Sequence, residues 1–302
     1  MPQALVIGGV SFNIMVYVDA FPPPQPQTII SSGFHETIGS TGAGKALNLR
    51  KRGFDVTLHG LIGADSLGRI VIDYLAAAQI SFLYDIDPRG TQRHLNLMDR
   101  AGRRISIFLE PGTFEPAFEA QRIEHYIPVS DYVILNISNY CRTLIPLIQR
   151  HGKAIWCDIH DYDGQNPYYD EFIRAADYLL MSSDSMPNYR PFMRSMIAQG
   201  KQLVICTHGR EGATTLTHDG EWIETPIVPM YVPIDTNGAG DSFFAGFLYG
   251  HARGYSTWQC LRLGAVAGGL CVTSAELALP ALSPALLDRE YLAAYGTPLD
   301  AR

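Results

Sequence analysis

Apolar residues in this chain come in short runs of strand length, separated by segments with the spacing of amphipathic helices. LVIGG (5–9), VTLHGLIG (56–63), YVILN (132–136), AIWCDI (154–159), YLLM (178–181) and LVICT (203–207) are largely apolar. Runs of this kind predict strands buried on both faces. SLGRIVIDYLAAAQ (66–79) and YRPFMRSMIAQG (189–200) repeat their apolar positions at three- and four-residue intervals, which predicts helices. The alternation predicts an α/β fold, a doubly wound, mainly parallel sheet flanked by helices. Ligands of such sheets bind outside the carboxyl ends of the strands.

Two regions depart from the alternation. Residues 13–37 hold FPPPQPQ and then TIISSGFHETI, and 91–109 read TQRHLNLM, DRAGR, RISIFL. The second is a hairpin pattern, two β-prone runs around a polar turn with a glycine. Together they predict a small β-strand lid contributed by about 13–37 and 91–109, with the Pro run either in the lid or in a surface loop. From about residue 239 the pattern turns helical: SFFAGFLYGHARG, TWQCLRLGAVAGGLCVT and PALLDREYLAAYG. No repeat and no composition shift marks a linker, so residues 1–302 read as one α/β domain.

Composition narrows the class. At 302 residues, 47% hydrophobic and 18% charged, the chain has the make-up of an ordinary globular protein. A net charge of −7 gives no general attraction for nucleic acid or an anionic membrane, while a local basic cleft remains compatible with a phosphorylated ligand. No apolar run approaches the roughly 20 residues that span a bilayer. The first strand begins without a basic lead-in, so no signal peptide is expected. The five cysteines (Cys141, Cys157, Cys206, Cys260, Cys271) are odd in number and widely spaced, as reduced core residues of a cytoplasmic protein would be.

Two Gly-rich stretches compete for a phosphate. GSTGAGKALN (39–48) nearly matches a P-loop, with Gly39, Gly44 and Lys45 in register, but Ala46 stands where a hydroxyl should hold Mg²⁺. In DTNGAGDSFFAGF (235–247), Gly238, Ala239 and Gly240 lead straight into an apolar helix. The unpaired N–H groups of its first turn and the positive end of its dipole make an anion site. Asp241 then has two readings. It caps its own helix, or it takes the proton from an attacking hydroxyl.

With these residues in view, the sequence resembles the ribokinase (PfkB-type) family of carbohydrate and nucleoside kinases. DTNGAGDSFFAGF is similar to the family's C-terminal signature. VIGGVSFN, the Gly-rich helix entry at 39–53, IGADSLGR (62–69), THGREG (207–212) and AGGLCVT (267–273) match in the right order. The resemblance covers about residues 4 to 290 and implies ATP-dependent phosphorylation of a sugar, sugar derivative or nucleoside hydroxyl, with Mg²⁺. It implies Asp241 as catalytic base and the Gly238–Gly240 amides as anion hole. Thr207, Gly209 and Gly212 would lie along ATP, with Asp235 and Thr236 shaping the turn and the helix around 267–272 behind the adenine. GSTGAG then faces the phosphate acceptor rather than ATP, with Asn13, Gly39, Ser40, Thr41 and Gly44 in the acceptor pocket.

Several positions depart from the family pattern. Ser40 replaces a glycine, Gly44 an asparagine, and Asn13 the usual aspartate that grips substrate hydroxyls. The family's Asn-x-x-Glu element falls near SSDS (182–185), where neither residue is present and Asp184 lies closest. These departures leave the metal-organising residues unknown. They also leave open two rivals: a catalytically weakened ligand-binding relative, and a P-loop NTPase using Lys45. Asp158, His160, Asp161 and Asp163 after one strand lack a second cluster to complete a metal set, although Asp158 can face the cleft. Arg103 and Arg104 follow the lid turn on opposite faces and read as solvated, with one in reach of the pocket. His208 reads as loop surface near the nucleotide. Edge strands of the lid can pair with a second copy, so the sequence is compatible with a homodimer through the lid without giving the oligomeric state.

Overall fold

In the computed structural model, which describes residues 1–100 and 102–299, the predicted apolar runs become strands. Ala101, in the predicted hairpin turn, and residues 300–302, at the end of the expected domain span, lie outside the described residues. The chain begins β1 (Gln3–Ile7), β2 (Ser11–Val18), β3 (Gly33–Gly39), α1 (Thr41–Lys51), β4 (Asp55–Ile62), α2 (Ser66–Ala77), β5 (Ser81–Ile86). A hairpin of β6 (Arg93–Asp99) and β7 (Arg104–Glu110) follows, then α3 (Ala120–Glu124), β8 (Tyr132–Leu135) and α4 (Ile145–Arg150). Next come β9 (Ile155–Asp158), α5 (Asp170–Ala175), β10 (Tyr178–Ser182), α6 (Tyr189–Ala198) and β11 (Leu203–Thr207). The pair β12 (Ala213–Thr217) and β13 (Trp222–Thr225) precedes α7 (Ala239–His251), α8 (Thr257–Cys271) and α9 (Pro284–Tyr295). Observed ends differ from the predicted ones by a few residues at most.

Among the described residues the larger sheet runs β13-β12-β11-β10-β9-β8-β1-β4-β5. It is parallel from β11 to β5, and β12 and β13 add an antiparallel edge. Alternation along β1 explains the two layers. Ala4 and Val6 pack into one core with side chains of α1, α7 and α8, whereas Leu5 and Ile7 pack into the other with α4, α5 and α6. A strand buried on both faces must be apolar throughout, which is what the sequence pattern recorded. All five cysteines are buried free thiols. No helix of the described residues is long and apolar enough to cross a membrane.

The two departures from the alternation form a second sheet, in the order β3-β2-β6-β7. β2 runs antiparallel to β3 and parallel to β6, and β6 and β7 form the predicted antiparallel hairpin. The Pro-rich stretch is the exposed connection between β2 and β3, not a strand. This small sheet faces the carboxyl ends of the large one, because β1 leads into β2 and β3 leads into α1 within a few residues.

Candidate active site

The signature stretch folds as a turn into α7. Gly238 is the N-cap, at φ 79° and ψ −2°, a left-handed conformation that glycine adopts without strain. A Cβ there would also lie 3.0 Å from the Leu277 carbonyl oxygen. The Ala239 N–H reaches the Thr236 carbonyl at 3.3 Å, while those of Gly238, Gly240 and Asp241 find no acceptor among the described residues. A Cβ on Gly240 would meet no atom within 4 Å. Unpaired amides at the positive end of a 13-residue helix, with an open approach over Gly240, are suited to an anion.

Asp241 follows in the first turn, buried, and it does not cap the helix. Its Oδ1 accepts a hydrogen bond from Lys45 Nζ at 2.6 Å, and the same ammonium reaches Asp158 Oδ2 at 3.1 Å. The Lys45 side chain is 0% exposed, so this is an interior ion pair with two carboxylates. Gly44 makes the approach possible, because a Cβ there would stand 2.3 Å from Asp241 Oδ2. Burial pushes the Asp241 carboxyl above the usual carboxylate range, and Lys45 opposes that shift. Burial would lower Lys45, but Asp241 and Asp158 outweigh it and hold the ammonium well above its ordinary range. Burial would likewise raise Asp158, but His160 and Lys45 hold it well below the usual carboxylate range.

On the other wall, Asn13 of β2 is buried and its Oδ1 accepts from Ser11 Oγ at 2.7 Å. Its Nδ2 lies across Gly39, where a Cβ would be only 2.0 Å away. Ser40 precedes α1 at φ 70° and ψ 157°, a conformation that favours glycine. Thr41 Oγ1 donates to Asn136 Oδ1 at 3.0 Å. His94 of β6 is the register partner of Asn13, and parallel partners share a face. His94 is 8% exposed, its Nε2 has no hydrogen-bond partner, and its ring lies 4.0 Å from that of Phe108 between centroids. Burial, and after it Arg104, pushes the His94 imidazole down to about 4, so it is neutral at pH 7.

The THGREG stretch makes a tight turn between β11 and β12. Thr207 Oγ1 donates to the Met181 carbonyl at 3.3 Å. Gly209 and Gly212 both take positive φ, and a Cβ on Gly212 would be 2.1 Å from the Thr225 carbonyl oxygen. His208 is held between Ser183 Oγ and Thr214 Oγ1, at 2.9 Å each. Asp235 is buried and accepts from the Asn237 N–H at 2.7 Å and from Tyr17 Oη at 2.5 Å. Thr236 Oγ1 donates to the Gly102 carbonyl at 2.7 Å, and Arg104 donates to Asn237 Oδ1 at 2.9 Å. The small sheet is thus tied to the signature turn at three places.

The family model described as pfkB family carbohydrate kinase matches residues 1–283. The chain belongs to the pfkB family of carbohydrate kinases. It is an ATP-dependent small-molecule kinase. It is similar to the acarbose 7(IV)-phosphotransferase of Actinoplanes sp., 27% identical over 298 residues, or 96% of this chain and 97% of the relative. The solved structure of a microbiome-derived acarbose kinase superposes with a TM-score of 0.86 at 28% identity, covering 96% of this chain and 99% of that one. Arabidopsis thaliana ribokinase, solved with ribose and ATP, shares the fold at a TM-score of 0.79 and 19% identity, covering 96% and 98% of the two chains.

In this pfkB kinase, Gly44 lies against Asp241 at the start of α7, and Gly39 lies against Asn13. Asp235 and Thr236 spend their side chains on the turn and the small sheet rather than leaving them free. The P-loop reading of Lys45 is overturned. Its preceding strand, β3, lies in the small sheet, and its ammonium is sealed between two carboxylates away from solvent. Arg103 folds back onto Asp99, while Arg104 reaches Asn237 of the signature turn. Sequence reasoning passed over His94, Tyr17 and the Lys45–Asp158 pairing. Only His94 carried a signal, a polar residue alternating with leucines in a β-prone run.

Proposed function

We propose that this kinase transfers the γ-phosphoryl group of ATP to a hydroxyl of a sugar or sugar derivative, with Asp241 as general base. The observation that carries the reading is the buried Asp241 carboxylate beside the unpaired amides that open α7. The acceptor O–H donates its proton to Asp241 Oδ2, because Oδ1 already accepts from Lys45. The acceptor oxygen then attacks the γ-phosphorus in line, the bond to the bridging oxygen breaks, and ADP leaves. The Gly238 and Gly240 amides stabilise the charge on the transferred group. Similarity to two acarbose kinases along the whole chain supports a carbohydrate acceptor and makes acarbose the first one to test.

Thr207, Gly209 and Gly212 are the residues proposed to lie along ATP. Ser40, Thr41 and Gly44 shape the acceptor pocket, with Asn13 and His94 offering hydrogen bonds to substrate hydroxyls. Among the described residues no group of three His, Cys, Asp or Glu side chains is arranged to hold a metal ion. Mg²⁺ is proposed to arrive with the ATP phosphates and its own waters, its usual habit at such sites. We further propose that the chain is one domain whose small sheet acts as a lid. The assembly is proposed to be a homodimer through that lid. Reduced, buried cysteines support a cytoplasmic setting.

Asp241→Asn tests the base directly. General-base assistance is typically worth about 10²–10⁴-fold, so turnover should fall by that order while ATP still binds. Near-wild-type turnover in the variant would reject Asp241 as base.

A further inference from the structure

Lys45 is a fully buried cation that the phosphoryl-transfer steps do not use, and it touches the proposed base. We propose that Lys45 is a positioning residue that keeps Asp241 ionised and fixes its carboxylate, through an ion pair shared with Asp158. The inference rests on Asp241 being the base, and it names what makes a buried carboxylate fit for that task.

The geometry leaves Lys45 little else to do. Its ammonium is 2.6 Å from Asp241 Oδ1 and 3.1 Å from Asp158 Oδ2, with the Phe244 ring centroid 5.4 Å away. It is 0% exposed, so it meets neither nucleotide nor acceptor. A carboxylate removed from water takes up a proton unless a positive charge compensates it. A protonated Asp241 could not accept the acceptor's proton. Lys45 supplies that compensation, and by holding Oδ1 it leaves Oδ2 as the atom that receives the proton.

Charge counting adds a direction. With all three groups ionised, two carboxylates share one ammonium, and the trio carries one net negative charge. Proton uptake by Asp241 makes the trio neutral, while the Lys45–Asp158 pair stays intact. Asp158 therefore works against Lys45 at Asp241: it adds a negative charge that favours protonation. His160 is the other group whose charge bears on both carboxylates, and its charged form favours the ionised state of each.

The test is a ¹³C-carboxyl aspartate NMR titration of the full chain, with the Asp241 resonance assigned by its loss in Asp241→Asn. An opposite charge at this range lowers a carboxyl by about 1–3 pH units. In Lys45→Met, Asp241 should therefore titrate about 1–3 units higher than in the wild type. Lys45→Arg should leave it near the wild-type position. Asp158→Asn should move it lower, a sign that loss of packing would not produce. If Lys45→Met does not fold with two carboxylates facing each other, Asp158→Asn alone still decides. An unmoved Asp241 titration in Lys45→Met, or an upward shift in Asp158→Asn, overturns the inference. Turnover separates the two ideas. Active Asp241→Asn defeats the base assignment, whereas inactive Asp241→Asn with an unmoved Lys45→Met titration defeats only the role of Lys45.

Discussion

At the scale of single residues, His94 poses the sharpest question. Buried polar atoms are nearly always hydrogen-bonded, yet its Nε2 has no partner. It shares a face of the small sheet with Asn13, the side chain that resemblance assigns to the acceptor. A substrate hydroxyl would satisfy it. One such hydrogen bond is worth about 0.5–1.5 kcal/mol, so His94→Phe should raise the acceptor KM by roughly two- to tenfold. The KM for ATP should not change. An unaltered acceptor KM in steady-state kinetics would remove His94 from the pocket. Asp241 stood out because a helix start, two glycines and a carboxylate fall within a few residues, and the resemblance alone favoured base over cap. Lys45 was not, because its partners lie 113 and 196 positions away. The crossing of α1 over α7 at Gly44 brings Lys45 to Asp241, and the carboxyl end of β9 brings it Asp158, neither of which local spacing can record.

Among elements, strands were the readable part. Buried parallel strands must be apolar on both faces, so β4, β8, β9, β10 and β11 stand out as continuous runs. The small sheet reverses the usual sign, which is why its orientation was harder to read. On β6 the polar His94 and Asn96 are buried and Leu95 and Leu97 are partly exposed. On β7, Ile105 is 44% exposed and Ile107 48%. Register puts Ile107 beside Leu95 and Ile105 beside Leu97, so the apolar side chains form one continuous outer surface. Inward polarity suits a lid over hydroxyls, and outward apolarity suits contact with a second copy. The double variant Ile105→Lys, Ile107→Lys should therefore sediment as a monomer where the wild type is a dimer. A monomeric wild type in analytical ultracentrifugation would rule out the lid interface.

For the molecule as a whole, the two sheets act through their junction. Tyr17 bonds Asp235, Thr236 bonds Gly102, and Arg104 bonds Asn237, so three contacts fasten the small sheet to the turn that begins α7. Beside them opens a cavity of about 390 Å³ lined by Tyr17, Arg100, Arg210, Ile234, Asp235 and Thr236. Its lining sets two arginines, Arg100 and Arg210, beside two aspartates, Asp99 and Asp235. The fold and the family could be argued from sequence because each rests on local pattern. The acceptor could not, since the residues proposed for its pocket, Asn13, Ser40, Gly44 and His94, come from three separate segments. The measurement that tests the central claim most directly is ADP formation from Mg·ATP with acarbose, simple sugars, sugar acids and nucleosides. Wild type and Asp241→Asn are compared side by side. The account predicts ADP formation that requires a carbohydrate acceptor and drops about 10²–10⁴-fold in the variant. Equal ADP formation without any acceptor, or by the variant, would contradict it.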